Sequence, residues 1–284
     1  MRVIHSKQDL AEQLAEWQHN EEHIALVPTM GNLHAGHIAL VNEAGRGADR
    51  VVTSIYVNPT QFGEGEDFQS YPRTLEADCS MLQDAGCDLV FIPDNDTMYP
   101  GGTAKATQVT ASPRLSCELE GACRPGHFDG VVTVVARLFN MVTPDLAVFG
   151  EKDYQQLLVI KHMVRDLAYP VEIVPLATVR EADGLAMSSR NGYLDPQQRN
   201  AAAVLNRVLK KAADRFAAGE AGREDVELEA SDELSREGFV VDYVAIRRAS
   251  DLAVPAGEDK SLRILAAARC GSTRLIDNRP LNKK

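Results

Sequence analysis

Short, wholly apolar runs alternate with amphipathic helical segments over the first 177 residues, and this alternation restricts the fold more than any other feature of the sequence. Strands that are apolar throughout are buried on both faces, which requires helices on both sides of a parallel sheet. We therefore predict an α/β fold in which residues 1–177 form a doubly wound, Rossmann-like parallel sheet. The predicted strands are residues 24–28, 50–57, 88–93, 146–149 and 171–174, and the predicted helices are about 35–44, 74–86, 130–141 and 154–167.

The pattern changes after residue 177. Asp195-Pro196-Gln197-Gln198 is typical of a helix start, with Asp195 as the N-cap, proline at the first helical position and glutamine at the third. Residues 217–225 look like a surface loop, and β-rich runs at 239–246 and 262–267 predict two neighbouring antiparallel strands. We expect a smaller α+β domain, residues 178–284, that closes over an ATP site.

Charge and composition exclude several classes of function. The 284 residues include 30 Lys and Arg against 41 Asp and Glu, a formal charge of −11, which argues against a nucleic-acid partner. No run approaches the ~18 apolar residues of a membrane span, and the N-terminus lacks the apolar core of a secretory signal. The 5 cysteines form no C-x-x-C pair, so we expect neither disulfides nor a cysteine zinc site, but a cytoplasmic protein.

Two histidines follow the first buried strand, in the string Pro28-Thr29-Met30-Gly31-Asn32-Leu33-His34-Ala35-Gly36-His37. Residues three apart share one side of a helix's first turn, and a helix N-terminus behind a parallel strand favours an anion. Gly36 leaves room for a ligand near the backbone. From the residues alone, His34 and His37 fit a phosphate site or a pair of surface histidines. A metal pair is less supported, since no H-E-x-x-H motif or flanking carboxylate is present.

A second polar string, Gly184 to Tyr193, contains Met187-Ser188-Ser189-Arg190. Two hydroxyl donors and a guanidinium form a compact oxyanion-binding set, although a polar turn can have the same composition. No G-x-x-x-x-G-K-[ST] loop and no G-x-G-x-x-G motif after the first strand is present, which disfavours P-loop and dinucleotide enzymes.

The two strings together resemble the signatures of the HxGH nucleotidyltransferase superfamily. Within it, the chain resembles the pantoate–β-alanine ligase family over nearly its whole length. The matching strings are Val27–His34, Val57-Asn58-Pro59-x-Gln61-Phe62, Tyr71-Pro72-Arg73-Thr74, Arg124-Pro125-Gly126-His127-Phe128, Phe149-Gly150-Glu151-Lys152-Asp153 and Ser188-Ser189-Arg190-Asn191.

The resemblance implies an ATP-dependent ligase. Pantoate and ATP would give a pantoyl adenylate and pyrophosphate, and β-alanine would then displace AMP to leave pantothenate. ATP, with Mg²⁺, would be a substrate, and the transition state would need fixed donors and cations more than a base. A cytoplasmic homodimer is expected.

The resemblance also implies a role for individual residues. The catalytic group would be His37, His34, Lys152 and Arg190, with His37 as the hydrogen-bond or proton donor. Gln61 and Gln156 would bind pantoate, Gln61 also β-alanine, and Asn58 and Tyr71 would line that region. The ATP-binding residues would be Met30, Gly31, His34, His37, Gly150, Lys152, Asp153, Val179, Met187, Ser188, Ser189 and Arg190, with Gly150 and Asp153 on the ribose and the Val179 and Met187 backbone on adenine. The resemblance assigns no contact to Arg124 or His127.

Other functions remain in competition at this stage. A phosphopantetheine or nicotinamide-nucleotide adenylyltransferase would share the histidine signature, but Asn58-Pro59-x-Gln61 favours an uncharged polar pocket. A tRNA-charging enzyme would need an extended basic surface, which the charge of −11 does not favour. A silent nucleotide-binding regulator would be expected to have lost a histidine or the Ser-Ser-Arg cation. The wider superfamily carries two lysines in its second signature; Arg190, which cannot act as a proton donor, indicates an electrostatic role.

Overall fold

The computed structural model describes residues 1–282, and they form two compact units. The first contains Met1–Glu151 and Val159–Ala177, and the second contains Lys152–Leu158 and the described chain from Thr178 onward. The domain boundary drawn from the sequence between residues 177 and 178 stays a prediction. The packing nevertheless assigns one segment to the second unit that the sequence pattern does not single out, Lys152–Leu158.

The first unit is an α/β unit. Its strands are β1 (Arg2–Ile4), β2 (Ile24–Thr29), β3 (Arg50–Ile55), β4 (Leu89–Phe91), β5 (Leu146–Gly150) and β6 (Glu172–Leu176). Its helices are α1 (Lys7–His19), α2 (Ala35–Gly47), α3 (Leu75–Asp84), α4 (Asn95–Met98), α5 (Pro113–Ser116), α6 (Glu120–Cys123), α7 (His127–Val142) and the part of α8 (Tyr154–Asp166) that follows Leu158.

Within residues 1–282 these strands form one six-stranded sheet in the order β1-β4-β3-β2-β5-β6, with every neighbouring pair parallel. The side chains of Ile24 to Val27 in β2 are at most 1% exposed, so both faces of the central strand are covered. Each fully buried aliphatic side chain of this kind contributes roughly 1.5–3 kcal/mol. The predicted doubly wound parallel sheet is confirmed.

The strand order also places the functional loops. From β2 the chain moves outward through β3 to β4, and it later returns to β5 on the other side of β2. The carboxyl ends of β2 and β5 therefore flank the point where the strand order reverses, which is where ligands bind in open α/β sheets. The segment Met30–His37 leaves β2 at this point, and Gly150 ends β5 there.

The second unit is an α+β unit, as the sequence predicts. Its helices are α9 (Pro196–Ala217) and α10 (Arg223–Arg236), and its strands are β7 (Phe239–Arg248), β8 (Ser261–Cys270) and β9 (Thr273–Asn282). Among the described residues these strands form a three-stranded antiparallel sheet in the order β7-β8-β9, and the apolar faces of α9 and α10 pack on it. Asp195 and Gln198 form the predicted capping box of α9.

Some of the predicted elements are wrong. The surface loop predicted at 217–225 is shorter, because α9 runs to Ala217 and α10 begins at Arg223. The pattern also gives no sign of β1, α1 or β9, and the bounds of the other predicted elements differ from the observed ones by up to three residues. Within the part of the chain that the structure describes, no helix has the length and hydropathy to span a membrane.

Candidate active site

The two histidines after β2 are linked to each other through the start of α2. His34 is the N-cap of this helix rather than a residue of its first turn, which corrects the sequence prediction. The His34 Nδ1 accepts a hydrogen bond from the Gly36 backbone N–H at 3.1 Å, and the His37 Nδ1 accepts one from the His34 N–H at 3.3 Å. The two ring centroids lie 4.1 Å apart. The pair is a capping box built from imidazoles.

This capping box fixes the tautomers of both rings. A neutral imidazole has one protonated nitrogen, and a nitrogen that accepts a hydrogen bond is the unprotonated one. Because each Nδ1 accepts from a backbone N–H, the proton of each ring is on Nε2. Both histidines are therefore Nε2–H donors at the N-terminus of a helix, where the helix dipole also favours an anion.

The turn between β2 and His34 is held by a buried carboxylate. Gly31 and Asn32 have positive φ angles, +80° and +49°, and a Cβ on Gly31 would lie 3.1 Å from the Asp78 Oδ2. Asp78 is 2% exposed, and it accepts hydrogen bonds from the N–H groups of Asn32 at 2.9 Å and Leu33 at 2.8 Å. A residue of α3 thus determines the backbone path into the histidine pair.

Thr74 contributes to the same contact. It occupies the N-cap position of α3, as predicted, but its side chain makes no cap bond there; its hydroxyl donates to the Asp78 Oδ1 at 3.0 Å. Sequence reasoning missed the role of Asp78. The available signal was an acidic residue on the buried face of α3, which it shares with Leu82.

Gln61 lies beside the histidine loop, at the end of a short 3₁₀ turn, Pro59–Gln61. Its Oε1 accepts from the Asn58 Nδ2 at 3.1 Å, and its Nε2 lies 3.1 Å from the Met30 sulfur. Asn58 is 1% exposed, and it also donates to the Gly130 carbonyl and accepts from the Tyr99 hydroxyl. Asn58 therefore acts through Gln61, whose amide it orients.

The turn that carries Gln61 packs tightly on α7. A Cβ on Gly130 would lie 2.3 Å from the Thr60 carbonyl oxygen, so only glycine allows this approach. Tyr71 is buried nearby in an aromatic group, with its ring centroid 6.0 Å from that of Phe62, which in turn lies 5.3 Å from Phe68.

Arg124 and His127 hold the backbone of Gln61, a function that the sequence did not reveal. The Gln61 carbonyl accepts from the His127 Nδ1–H at 2.8 Å and from the Arg124 Nη2 at 3.3 Å. Arg124 also donates to the His127 Nε2 at 3.0 Å and forms a bidentate pair with Glu66 at 2.6 and 2.7 Å. Burial, and then the positive charge of Arg124, lower the pKa of His127 to about 4, so this ring is neutral at pH 7.

In the second unit, Lys152 and Asp153 lie in a 3₁₀ turn after β5, and Gln156 follows in the first turns of α8. The Lys152 Nζ lies 3.8 Å from the Asp153 Oδ1, and their side chains are 21% and 46% exposed. Gln156 is half-buried. All three predicted ligands thus belong to one short segment, Lys152–Leu158, that packs with the second unit.

Val179 and Met187 form the base of a hairpin. The Met187 N–H donates to the Val179 carbonyl at 3.0 Å, and the turn at the tip contains Gly184 with φ +91°. These two groups are engaged with each other, so the predicted adenine contacts are left to the Val179 N–H and the Met187 carbonyl. Arg199 holds the turn through ion pairs with Glu181 and Asp183 at 2.7 and 2.5 Å.

The hairpin leads into the predicted oxyanion-binding set. Ser188 is the N-cap of the 3₁₀ turn Ser189–Tyr193, and its hydroxyl oxygen accepts from the Arg190 N–H at 3.2 Å. Asn191 ties this turn to the hairpin by donating to Glu181 at 3.0 Å and to the Ala186 carbonyl at 3.1 Å. The string is a fixed turn that follows directly on the hairpin.

The donor groups of the chain also bear on metal binding. Across residues 1–282, no group of three or more His, Cys, Asp or Glu side chains is placed to hold a metal ion. A dedicated protein cage for a divalent cation is therefore not part of the described structure. Mg²⁺ is commonly held by substrate phosphates, water and only one or two carboxylates, a mode that needs no such cage.

Comparison with known proteins connects this geometry with one family. The chain matches the family described as pantoate-beta-alanine ligase over residues 2–280. A pantothenate synthetase from Xanthomonas euvesicatoria is 59% identical over 263 residues, which cover 92% of this chain and 93% of that protein.

Comparison with solved structures points to the same family. The crystal structure of pantothenate synthetase from Thermus thermophilus matches with a TM-score of 0.91 and 47% identity, covering 98% of this chain and 99% of that one. A pantoate-beta-alanine ligase from Francisella tularensis, complexed with beta-gamma ATP and beta-alanine, matches with a TM-score of 0.84 and 31% identity, covering 98% and 97%.

Proposed function

Because this chain belongs to the pantoate–β-alanine ligase family, it makes pantothenate from pantoate and β-alanine at the expense of ATP, and we propose that it does so through a pantoyl adenylate. The observation that best supports the nucleotide chemistry is the imidazole capping box. It presents two Nε2–H donors at the N-terminus of α2, beside the point where the strand order reverses.

The proposed reaction has two balanced steps. In the first, a pantoate carboxylate oxygen forms a bond to the α-phosphorus of ATP while the bond from that phosphorus to the bridging oxygen breaks, and pyrophosphate leaves. In the second, the β-alanine nitrogen bonds to the acyl carbon while the bond from that carbon to the oxygen that bridges it to phosphorus breaks, so that AMP leaves with this oxygen and the nitrogen loses a proton to solvent. Adenylation replaces a poor leaving group, hydroxide, with a stable phosphate ester.

We assign the first step to electrostatic stabilisation. Negative charge grows on the equatorial oxygens of the α-phosphate and on the departing pyrophosphate, so donors fixed in advance lower the barrier most. His34 and His37 supply such donors, since their Nδ1 atoms are held by the backbone. His37 is our choice for the donor that follows the charge on the phosphate.

The second unit would supply the cations and part of the nucleotide contacts. Lys152 would act as a point charge on a phosphate oxygen, and Arg190, with Ser188 and Ser189, would bind the β- and γ-phosphates and then pyrophosphate. Gly150 and Asp153 would hold the ribose hydroxyls. The hairpin at Val179 and Met187 would recognise adenine through its remaining backbone groups, and Met30 and Gly31 would lie along the nucleotide.

The amides of Gln61 and Gln156 would bind pantoate, because an amide can donate to a carboxylate and both donate to and accept from hydroxyls. For Gln61 the support is its fixed orientation between Asn58 and Met30. β-Alanine would then approach the adenylate on the Gln61 side, with Tyr71 in the surrounding wall.

Mg²⁺ would enter with ATP and neutralise part of the triphosphate charge. A cytoplasmic homodimer is also proposed: the absence of C-x-x-C pairs supports the first property, and the family resemblance supports the second. Sedimentation equilibrium at micromolar concentration would test the dimer. The closing of residues 178–284 over ATP stays a prediction.

Isotope exchange tests the proposed route directly. Labelled pyrophosphate should exchange into ATP when pantoate and Mg²⁺ are present and β-alanine is absent, because the adenylate step is reversible by itself. Pantoate should be required, and a 2-hydroxy acid lacking its branched carbon chain should support slower exchange. If exchange required β-alanine, an adenylate that forms before β-alanine binds would be ruled out.

A further inference from the structure

The segment Lys152–Leu158 follows a strand of the parallel sheet but is fastened to the second unit by three specific contacts. The Asn278 Nδ2 donates to the Lys152 carbonyl at 2.9 Å. The Tyr154 hydroxyl donates to the Ala249 carbonyl at 2.9 Å, and the guanidinium carbon of Arg263 lies 3.6 Å from the centre of the Tyr154 ring. These contacts hold the backbone of Lys152 and the start of α8.

Asn278 is itself held from several sides within β9. Its Oδ1 accepts from the Arg263 Nη1 at 2.5 Å, and its carbonyl accepts from the Arg180 Nη2 at 3.2 Å. Arg180 also forms a bidentate pair with Asp277 at 2.8 and 2.9 Å. Asp277 and Asn278 are each 3% exposed. Burying polar groups is costly unless they are paired, so an array with this many specific pairs has few alternative arrangements.

The same array reaches the hairpin that precedes Ser188. The Arg180 Nη1 donates to the Gly184 carbonyl at 3.1 Å, in the turn of that hairpin. One connected set of hydrogen bonds therefore runs from the Lys152 backbone through Asn278 and Arg180 to the hairpin. Lys152 and the hairpin that leads into the Ser188–Arg190 turn are therefore connected by one array of hydrogen bonds.

We propose that Asn278 is a positioning residue for Lys152, and that the array of Arg180, Asp277 and Asn278 sets Lys152 and the Ser188–Arg190 turn at a fixed spacing to bind one polyphosphate. The proposal deepens the proposed function and rests on it, because it assumes that Lys152 contacts ATP. Cations whose backbone is fixed in advance need little rearrangement when charge develops on the phosphates.

A double-mutant cycle tests the proposal. Asn278→Asp retains the shape and the oxygen facing Arg263 but replaces the donor to the Lys152 carbonyl. We expect kcat/KM for ATP to fall about tenfold in Asn278→Asp. In the Lys152→Ala background the same change should have less than about a twofold effect, because the group that Asn278 positions is absent.

A matched control comes from the same strand. Arg274 lies in β9, four residues before Asn278, and pairs with Asp242 at 2.6 Å. Arg274→Gln should retain wild-type kcat/KM for ATP, with thermal unfolding recorded for every variant. If Asn278→Asp does not fold, Asn278→Ser, which introduces no buried charge, replaces it in the cycle with the same expected outcome.

The outcomes separate the positioning role from the proposed function. Wild-type kinetics in the Asn278 variant, or effects of Asn278 and Lys152 that multiply independently, would overturn the positioning role. Full activity in Lys152→Ala would instead overturn the assignment of Lys152 to ATP. A large defect in Lys152→Ala combined with a non-additive cycle supports both.

Discussion

The two segments that we propose to bind phosphate are held in place by different kinds of interaction. The segment Met30–His37 in the first unit is held by backbone N–H groups, which bond to the two imidazoles and to the buried carboxylate of Asp78. The hairpin and turn of the second unit are held largely by side-chain pairs, with Arg180 on Asp277 and Arg199 on Glu181 and Asp183.

The difference has consequences for stability. A buried carboxylate that accepts two backbone bonds leaves both donors unpaired when it is removed, and each such loss costs about 1–3 kcal/mol. Exposed ion pairs are worth about 0–1 kcal/mol and are screened by salt. The first segment should therefore be sensitive to mutation but not to salt, and the Arg199 pairs of the second should show the opposite behaviour.

The difference also has consequences for catalysis. Donors that are fixed by the backbone do not have to reorganise when charge develops in the transition state. Long cationic side chains are less firmly held, and they can gain or lose contacts with little effect on the fold. We therefore expect the largest effect on the chemical step from the first segment.

His37→Ala should have the largest effect. It removes one of the two Nε2–H donors and also the acceptor for the His34 N–H, and we expect turnover to fall at least about 100-fold, or about 2.7 kcal/mol of transition-state stabilisation. Steady-state turnover and pyrophosphate exchange should fall together. His19→Ala, at an exposed position at the end of α1, is the matched control and should be unchanged. Full turnover in His37→Ala would contradict the expectation that the first segment has the largest effect on the chemical step.

Asp78→Ala should come next, at about 2.5 kcal/mol of lost unfolding free energy. The variant leaves the Asn32 and Leu33 N–H groups without their acceptor and frees the turn before His34, so turnover should fall as well. Urea denaturation measures the first effect. Asp78→Asn keeps one carbonyl oxygen and should lose less; equal losses in both variants would show that the one backbone bond that asparagine can keep does not hold the turn.

Acid should destabilise the first unit through His127. Its folded pKa is about 4, below the ordinary value of 6.5, so between these values the unfolded chain binds a proton that the folded chain does not. Stability from this group is complete above pH 6.5 and is lost as the pH falls toward 4; by pH 5 the loss is about 2 kcal/mol. His127→Gln has no such group, so its stability between pH 7.5 and 5 should fall less steeply. Parallel urea titrations at both pH values measure the difference, and equal slopes would contradict the prediction.

The sequence predicts the first unit well because its signal is local. β2 and β5 are almost wholly apolar and β3 is a β-rich run, a pattern typical of a sheet covered on both faces. β1 has three residues, two of them exposed, and so leaves no pattern. In α10 charged residues outnumber apolar ones, and its buried residues, Val226, Ala230 and Leu234, are too sparse to outweigh a loop-like composition.

The site shows the same limit. Motifs identify His34, His37 and Ser188–Arg190, because these residues stand in short recognisable strings. Asp78 and Asn278 are single polar residues whose partners lie 45 and 126 positions away in the sequence. β9 is hidden for a related reason: its polar residues Asp277 and Asn278 are buried through pairs with Arg180 and Arg263, so the strand shows no apolar run. These contacts between residues that are distant in the sequence are visible only in the tertiary structure.

Arg199→Gln should have the smallest effect and provides the sharpest contrast with Asp78. Its side chain is 27% exposed, and those of its partners Glu181 and Asp183 are 33% and 42% exposed, so the loss of unfolding free energy should stay below about 1 kcal/mol. Because the pairs hold the turn of the hairpin that includes Met187, kcat/KM for ATP should fall by about two- to threefold in dilute buffer.

In about 1 M salt, where the screening length shrinks from ~10 Å to ~3 Å, the ratio of kcat/KM in Arg199→Gln to that of the wild type should return toward one. The same ratio for Asp78→Asn should not change with salt, since its bonds are buried. A salt-independent Arg199 defect, or one as large as that of Asp78→Ala, would show that the two segments are held by the same kind of interaction after all.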